Sequence, residues 1–408
     1  MLLYASRKGG FYGNSMTKKD TQLVGVGRDK KFTGAAVNPR LARASTIVFD
    51  TVQDMHQATK DRHAGAEYYG RRGTSTTFAF TEAMCELENA AGCYVYSCGA
   101  AAIAGSLLSF LSAGDHLLML DSVYEPTREF CDHVLKRMGV EISYYDPLIG
   151  AGIAELVKEN TKIIYLESPG SLTMEVQDLP AIVAVAQQKD IVTMIDNTFC
   201  TPVNFKPLDF GIDVSIHSAT KYISGHSDIM LGVASANERY WPRLRKSSFL
   251  MGYSASVDDV YTAMRGLRTL SVRLKQHEQS AMQVAKWLQE QPLVDRVLHP
   301  NFESCPGHEF YRRDVSGGNG LFSIVLKHSN DAALTALLDG MQHFAMGFSW
   351  GGYESLILAA SDFSERRTAT KWTAKGSLIR LHIGLEDPED LIADLAQGLK
   401  RFSDVAKV

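Results

Sequence analysis

The chain has 408 residues, a formal net charge of −4, 45% hydrophobic residues and 22% charged residues. This length exceeds what one hydrophobic core usually organises, so two or more domains are expected. The small negative charge, and the absence of a basic run flanked by aromatic residues, argue against nucleic acid or an anionic membrane as a partner. The six cysteines show no metal-ligand spacing, which argues against zinc and fits a reducing cytoplasm.

The first segment differs from the rest of the chain in its lack of pattern. Residues 1–19 have no apolar core of the kind a signal peptide needs, and Met16 resembles a natural start, so a disordered extension is expected. Residues 20–73 show little hydrophobic periodicity. They are predicted to form an extended arm that lies across another domain or another subunit.

From residue 74 onward, apolar strands alternate with helical segments. Near-continuous apolar strands separated by helices predict an α/β domain with a mostly parallel sheet over residues 74–267. Its functional site is expected beyond the carboxyl ends of the strands. The predicted strands are Tyr94–Tyr96, His116–Leu120, Val140–Tyr145, Thr161–Leu166, Ile191–Ile195 and Gly211–Val214.

A second, smaller domain is predicted over residues 268–408. A long helical tract over residues 257–291 leads into it, and strands and helices then occur in mixed order. This order is typical of an α+β domain. The predicted strands are Val294–Leu298, Leu321–Leu326, Phe344–Phe348 and Leu378–Ile383.

Lys221 is the first candidate catalytic residue. It follows a predicted strand and has the hydroxyl residues Ser218 and Thr220 close by. A lysine with hydroxyls that can bind a phosphate suits a Schiff base to pyridoxal 5′-phosphate (PLP). The alternative is an ordinary solvated lysine in a surface loop.

Two further features fit the same cofactor. Asp196 closes a predicted strand and could hold the pyridine nitrogen protonated, although an aspartate there could also be a helix cap. Gly99 and Ala100 open a helix directly after a strand, where backbone N–H groups can bind an anion. The alternative for these two is a tightly packed helix start.

Two residues are candidates for substrate contacts. Arg380 interrupts an apolar strand, and its guanidinium could bind an amino-acid carboxylate, although an internal salt bridge, for example to Glu386, is the alternative. Tyr124 follows a strand, so its ring could stack on the cofactor and its hydroxyl could move protons. Nothing in the spacing excludes a tyrosine that merely packs.

Together these motifs resemble the cystathionine-metabolising (trans-sulfuration) family of PLP enzymes, from about Asp20 onward. The resemblance implies the large aspartate-aminotransferase architecture, fold type I, and a homotetramer built from tight dimers. The motifs that carry it are Tyr69-Gly70-Arg71-Arg72, Cys98-Gly99-Ala100, Met194-Ile195-Asp196-Asn197-Thr198, Ser218-Ala219-Thr220-Lys221-Tyr222, Gly225-His226-Ser227-Asp228, Phe348-Ser349-Trp350-Gly351-Gly352-Tyr353-Glu354-Ser355 and Arg380-Leu381-His382-Ile383-Gly384.

The resemblance also implies roles for individual residues. Tyr69 and Arg71 would bind the cofactor phosphate from the neighbouring subunit. Ser349 would help Arg380 to hold the substrate carboxylate. Trp350 and Tyr253 would line the substrate pocket. One departure is the sequence Glu167-Ser168-Pro169-Gly170-Ser171-Leu172, where many members have Glu-Ser-Pro-Thr-Asn-Pro, so the asparagine contact to the cofactor is not assigned here.

The activity that the resemblance implies is carbon–sulfur bond cleavage in an amino-acid thioether. The expected reaction is β-elimination of L-cystathionine to homocysteine, pyruvate and ammonia, as in methionine biosynthesis. The alternatives are a γ-acting relative, either a synthase or a lyase, and a PLP-binding regulatory protein with little catalysis. The complete set of Lys221, Asp196 and Arg380 argues against the regulatory protein.

Overall fold

The computed structural model describes residues 17–360 and 367–408. The predicted extension over residues 1–19 therefore lies almost entirely outside the described residues. Its last residue, Lys19, already begins a helix.

The first seven strands of the chain form one sheet in the order β1-β7-β6-β5-β4-β2-β3. Neighbours from β6 to β3 run parallel, whereas β7 is antiparallel to both β6 and β1. The prediction of a mostly parallel sheet is confirmed. The strands are β1 (Gly92–Tyr96), β2 (His116–Leu120), β3 (Glu141–Tyr145), β4 (Thr161–Glu167), β5 (Val192–Asp196), β6 (Val214–Ser218) and β7 (Gly232–Ala236).

Helices cover this sheet and connect it to a second one. The helices in chain order are α1 (Lys19–Gly25), α2 (Lys30–Thr33), α3 (Val52–Asp61), α4 (Ser75–Glu88), α5 (Gly99–Phe110), α6 (Glu125–Phe130), α7 (Leu179–Gln188), α8 (Thr201–Asn204), α9 (Trp241–Leu250), α10 (Val257–Gln289), α11 (His308–Asp314), α12 (Asp331–Asp339) and α13 (Pro388–Ala406). A π-helical turn, Cys131–Leu135, continues α6. Within the described residues, no helix has the length and apolar character needed to cross a membrane.

The second sheet has the order β10-β11-β12-β9-β8 and is mostly antiparallel. Its strands are β8 (Val294–Leu298), β9 (Leu321–Leu326), β10 (Ala345–Met346), β11 (Leu356–Ala360) and β12 (Leu378–His382). Helix α10 contributes Leu267 to a core beside the first sheet and Leu288 to the core of the second. The predicted boundary at 267/268 falls inside this continuous helix, and the division into domains stays a prediction.

The strand that leads to Lys221 lies further along the chain than the sequence suggested. Gly211, predicted to begin it, instead has a φ of +82° and ends a 3₁₀ turn, Pro207–Phe210. The strand runs over Val214–Ser218 and is paired on both sides. These bounds of the strand were not predicted, because Ser215 and His217 interrupt its apolar pattern. In the structure both side chains are buried and hydrogen-bonded.

The extended arm predicted for residues 20–73 contains helices, so that prediction is wrong in part. Helix α1 packs on α10, where the Arg268 guanidinium donates to the carbonyls of Leu23 and Val26, both at 2.8 Å. The N-terminal part of the arm is therefore held by its own chain. Other elements that the sequence did not reveal are β7, β11, α9 and α11.

A buried carboxylate ties the chain segment before β12 to the large sheet. Asp121, directly after β2, accepts hydrogen bonds from the backbone N–H groups of Thr368, Ala369 and Thr370 at 2.8–3.1 Å and from the Arg128 guanidinium at 2.7 Å. Burial would raise the pKa of Asp121, but these donors outweigh it and lower the pKa below its usual value. The stability that this carboxylate provides is therefore present near neutral pH and lost as the pH falls through the lowered pKa.

We expect Asp121→Ala to lower the free energy of unfolding by roughly 3–5 kcal/mol, because it leaves the Arg128 cation buried without its acidic partner. Urea denaturation monitored by circular dichroism measures the change. Asp146, which follows β3 as Asp121 follows β2, is exposed and accepts one N–H, from Leu148. Asp146→Ala is the matched control and should cost about 1 kcal/mol or less. Equal losses for the two variants would contradict the anchoring role.

Candidate active site

The carboxyl ends of β4, β5 and β6 define one edge of the large sheet, because the three strands are parallel and adjacent. Glu167 at the end of β4 is the register partner of Asp196 at the end of β5. Ser218 ends β6, and the turn that follows carries Lys221. The sheet thus gathers two carboxyl groups and the candidate lysine at one edge.

Asp196 is buried and held by its neighbour Thr198. Its Oδ1 accepts hydrogen bonds from the Thr198 N–H at 3.0 Å and the Thr198 hydroxyl at 2.5 Å. Burial raises the pKa of Asp196, while the Thr198 donors, His217 and Lys221 act in the opposite direction. The Thr198 hydroxyl also accepts from the Ser218 N–H at 2.8 Å. Thr198, which the sequence analysis did not identify as a site residue, therefore couples the ends of β5 and β6.

Lys221 points toward a loop that comes from the second sheet. Its Nζ donates to the Ser349 hydroxyl at 2.5 Å and lies 5.4 Å from the centroid of the Trp350 ring. Burial and, to a smaller extent, the cation of Arg380 lower the pKa of Lys221 to about 8, against the opposing effect of Asp196. At pH 7 roughly one amine in ten is then neutral, far more than for an unperturbed lysine, and the neutral form is what a nucleophile or a general base requires.

Arg380 is a second cation at this site. Its guanidinium donates to the carbonyl of Ser349 at 3.0 Å, and burial lowers its pKa to about 10. Glu386, the alternative partner considered from the sequence, bonds instead to the backbone and hydroxyl of Ser355 at 2.7–2.8 Å. Because no acidic partner of Arg380 occurs among residues 17–360 and 367–408, the remaining N–H donors suit a carboxylate ligand.

Tyr124 stands at the start of α6, with 43% of its surface exposed. Its backbone N–H donates to Glu167 Oε2 at 2.9 Å. Burial raises the pKa of Tyr124, and the nearby carboxylates of Asp196 and Glu167 raise it further, so its hydroxyl stays protonated. Glu167 was not predicted as a site residue. Its position at a strand end, like that of Asp196, was the available signal.

The start of α5, next to the end of β6, is suited to binding a phosphate. The first N–H groups of α5, at Gly99 and Ala100, have no partner within the helix, and the helix dipole favours an anion there. A Cβ on Gly99 would lie 2.6 Å from the Ser218 Cβ, so a side chain would not fit. Thr220 is less available, because its hydroxyl accepts from the Leu231 N–H at 3.0 Å.

Three of the predicted site residues are not brought to Lys221 within this chain. The Arg71 guanidinium donates to the Phe249 carbonyl at 2.9 Å and stacks on its ring at 4.1 Å. Tyr69, two residues earlier, has 44% of its surface exposed. The Tyr253 ring packs against Tyr96 at 5.1 Å, and in the described part of the chain neither a hydrogen bond nor a ring contact joins it to Trp350.

Comparison with known proteins agrees with this geometry. The model of the family described as Cys/Met metabolism PLP-dependent enzyme matches residues 20–400. The chain belongs to this family. Pyridoxal 5′-phosphate is therefore its cofactor, and the residues present fit it. A buried carboxyl is available for the ring nitrogen, a helix start for the phosphate and a lysine with a lowered pKa for the aldehyde.

Individual relatives cover nearly the whole chain. A cystathionine beta-lyase of Escherichia coli (strain K12) is 53% identical over 94% of this chain and 99% of its own length. A cystathionine beta-lyase of Haemophilus influenzae is 51% identical over 95% of this chain and 100% of its own length. A solved cystathionine gamma synthase from Xanthomonas oryzae pv. oryzae superimposes with a TM-score of 0.85, at 31% identity, over 94% of this chain and 98% of its own. The fold of the PLP-dependent type I enzymes is thereby confirmed.

We expect the lowered pKa of Lys221 to be measurable in the apoprotein. The labelling rate of Lys221 by an amine-reactive reagent, followed by peptide mass spectrometry, should rise with a midpoint near pH 8. Arg380→Gln removes a neighbouring cation, so the pKa of Lys221 and this midpoint should move to higher pH. Labelling of the exposed Lys189 serves as the internal rate standard.

Arg268→Gln is the matched control. Arg268 is also partly buried, but its guanidinium donates to the Leu23 carbonyl in α1 and does not act on Lys221. It should leave the Lys221 midpoint unchanged. If Arg268→Gln shifts the Lys221 midpoint as far as Arg380→Gln does, the direct electrostatic coupling of Arg380 and Lys221 is contradicted.

Proposed function

We propose that this chain is a cystathionine β-lyase, which cleaves L-cystathionine by β-elimination into homocysteine, pyruvate and ammonia, as in methionine biosynthesis. The observation that carries the proposal is the identity of 51–53% to two cystathionine beta-lyases over almost the full length of each. Lys221 lies beside Arg380, and Arg380 has no acidic partner within the described residues. This pair fits the chemistry of an amino-acid substrate.

The cofactor would be bound by residues from three strand ends and one helix start. Lys221 would attach it, Asp196 would pair with the ring nitrogen, and Tyr124 would stack on the ring. Gly99, Ala100 and Ser218 would hold the phosphate, which the missing Cβ of Gly99 at Ser218 supports, and Thr220 would join them by exchanging its bonds with Leu231. When bound, PLP supplies an electron sink that stabilises negative charge at the substrate Cα.

Lys221 handles the protons of the reaction. Its neutral amine removes the proton from the substrate Cα, and the ammonium so formed donates a proton to the sulfur as the Cβ–S bond breaks. The Ser349 hydroxyl, 2.5 Å from Nζ, restricts where the amine can point. A pKa of about 8 suits both roles, because neither protonation state is strongly disfavoured near neutral pH.

The substrate carboxylate binds Arg380 with help from Ser349. The planar guanidinium offers parallel N–H donors for two carboxylate oxygens, and its bond to the Ser349 carbonyl fixes its plane. Trp350 and Tyr253 form the apolar wall of the substrate pocket in this proposal. The Trp350 ring packs on Tyr222 at 5.5 Å, so it is held rigidly next to Lys221.

The competing assignment is a γ-acting enzyme, because the solved relative at 31% identity is a cystathionine gamma synthase. β- and γ-acting members can share the lysine, the aspartate and the arginine, so this set alone does not decide between them. An apolar wall separates substrates by only about 1–3 kcal/mol per methylene. The higher identity to the beta-lyases favours β-elimination.

We expect the purified protein to convert L-cystathionine mainly to pyruvate and homocysteine, measured by chromatography of both the keto acids and the thiols. Lys221→Ala should lower turnover by roughly 10²–10⁴-fold, because it removes the general base. Arg380→Ala should lower kcat/KM by roughly 10–100-fold, chiefly through KM, since a charge-assisted carboxylate contact is lost. Exposed Lys189→Ala is the control with unchanged rates. α-Ketobutyrate and cysteine as the main products would replace the assignment with a γ-lyase.

Assembly into a homotetramer of dimers with shared active sites is part of the proposal. Tyr69 and Arg71 then reach the cofactor phosphate of the neighbouring subunit. The idea is supported by the position of Arg71 against Phe249, away from the Lys221 of its own chain, and by the exposure of Tyr69. A cytoplasmic location is also proposed, and the six free cysteines fit it.

We expect mixed subunits to complement each other. Arg71→Ala and Lys221→Ala chains, each inactive alone, form mixed dimers in which one site has both residues intact. Random mixing should restore up to about a quarter of the wild-type sites, by the statistics of a two-fold dimer. Subunits are exchanged by mild denaturation and refolding, and activity is then assayed. A monomer with full activity in light scattering would exclude shared sites.

A further inference from the structure

The second sheet contacts Lys221 through a loop of three residues, Ser349, Trp350 and Gly351, here called the Ser349 loop. The loop has an unusual backbone, with a φ of +109° at Ser349 and +88° at Gly351. A left-handed conformation is unfavourable for serine and persists only where the surroundings enforce it. Ser349 uses this conformation to offer its hydroxyl to Lys221 and its carbonyl to Arg380.

Two side chains of β12 anchor this loop. The Arg380 guanidinium binds the Ser349 carbonyl, and His382 Nε2 accepts the Gly351 N–H at 3.0 Å. The two anchors are two residues apart in the strand, so they lie on the same face of the sheet. They hold two loop residues that are also two positions apart.

The protonation state of His382 suits the acceptor role. Its Nδ1 lies 3.0 Å from the Glu354 carbonyl, so Nδ1 carries the proton and Nε2 is free to accept. His382 is 1% exposed. Burial, followed by His277 and the nearby cations, lowers the pKa of His382 well below its usual value, so the imidazole stays neutral.

The position of Gly351 is tightly defined on its other side. A Cβ there would lie 2.8 Å from the Tyr222 nitrogen and 3.0 Å from the carbonyl carbon of Lys221. The loop therefore rests directly on the backbone that carries the lysine. A displacement of Gly351 by a few tenths of an ångström changes the relation of Ser349 to Lys221.

We propose that His382 is a positioning residue. By binding the Gly351 N–H, it keeps Ser349 in its left-handed conformation, with the hydroxyl on Lys221 and the carbonyl on Arg380. His382 touches neither Lys221 nor the substrate carboxylate directly and acts through the loop. The kinetic consequence rests on the function proposed above, whereas the backbone geometry does not.

A pair of amide substitutions separates the two ring nitrogens of His382. The glutamine oxygen of His382→Gln reaches the position of Nε2 and can still accept the Gly351 N–H. The shorter asparagine of His382→Asn reaches the position of Nδ1 and keeps the bond to Glu354 but loses Gly351. Both variants place a neutral polar side chain in the same buried space, so a difference between them reports on the Gly351 bond.

His277→Asn is the matched control. His277 lies 5.3 Å from His382, ring to ring, is equally buried, and donates from Nδ1 to the Ile383 carbonyl at 2.8 Å. Asparagine preserves that bond, and no described hydrogen bond joins His277 to the Ser349 loop. A general loss of core packing would affect this variant as much as His382→Asn.

The expected kinetic result for the holoenzyme is a loss of roughly 10–100-fold in kcat/KM for His382→Asn, because misplaced catalytic groups cost this much. His382→Gln and His277→Asn should stay within about threefold of wild type. In a Ser349→Ala background, His382→Asn should cost little more, since both changes remove the same contact. Equal losses for the Asn and Gln variants, or losses that add fully to that of Ser349→Ala, would overturn the proposal.

Two readouts are independent of cystathionine. Hydrogen exchange of residues 349–353 in the holoenzyme should accelerate in His382→Asn and not in His382→Gln, and labelling of Lys221 in the apoprotein should change in the same pattern. If wild type fails to cleave cystathionine, these readouts still decide the positioning role. If His382→Asn does not fold, the hydrogen-exchange rate of the Gly351 amide in the wild-type protein tests the proposal by itself. Exchange as fast as that of exposed loop amides would refute the bond.

Discussion

The site depends on the burial of two cations beside each other. Lys221 and Arg380 are both partly buried, and burial is the main cause of the lowered pKa of each. Buried charge of one sign costs free energy unless an anion accompanies it. Asp196 supplies part of the compensation. In the proposed function a phosphate at the start of α5 and a carboxylate on Arg380 would supply the rest, so the same desolvation that costs stability would favour binding of an anionic cofactor and an anionic substrate.

The charges can be held this closely because two sheets meet at the site. The large sheet contributes Asp196 and Lys221 at adjacent strand ends, coupled by the bonds of Thr198 to Asp196 and Ser218. The second sheet contributes Arg380 and, through the Ser349 loop, the hydroxyl on the lysine. Helix α10 packs in the cores beside both sheets. The distance between the Lys221 amine and the Arg380 guanidinium is thus set by the packing of the two sheets.

Sequence reasoning predicted the parallel sheet from the alternation of strands and helices, and it selected Asp196 and Arg380 as candidates because each ends or interrupts an apolar run. It failed where small or polar residues form a buried strand. Strand β7 consists of Gly, Val, Ala and Ser, and its pairing partners on both sides make it a strand.

The supporting residues could not be found from spacing. Thr198 and His382 act through hydrogen bonds to residues 20 and 31 positions away. Such pairs exist only once the sheets have formed, so no local pattern marks them. Arg71 and Tyr253 were assigned by resemblance alone, and within one chain their contacts are with Phe249, Tyr94 and Tyr96. The role proposed for Arg71 therefore depends on the proposed assembly, and the role proposed for Tyr253 rests on the resemblance.

The pair of carboxyl groups at the ends of β4 and β5 raises the question of which one keeps the negative charge. Burial and the neighbouring Asp196 raise the pKa of Glu167 well above its usual value. Burial also raises the pKa of Asp196, but the Thr198 donors, His217 and Lys221 oppose this rise. Two adjacent carboxyls cannot both ionise cheaply, and the stronger rise favours Glu167 as the protonated member of the pair. Glu167 can then accept the Tyr124 N–H without adding a second charge, and Asp196 is the carboxyl that the proposed function pairs with the pyridine nitrogen.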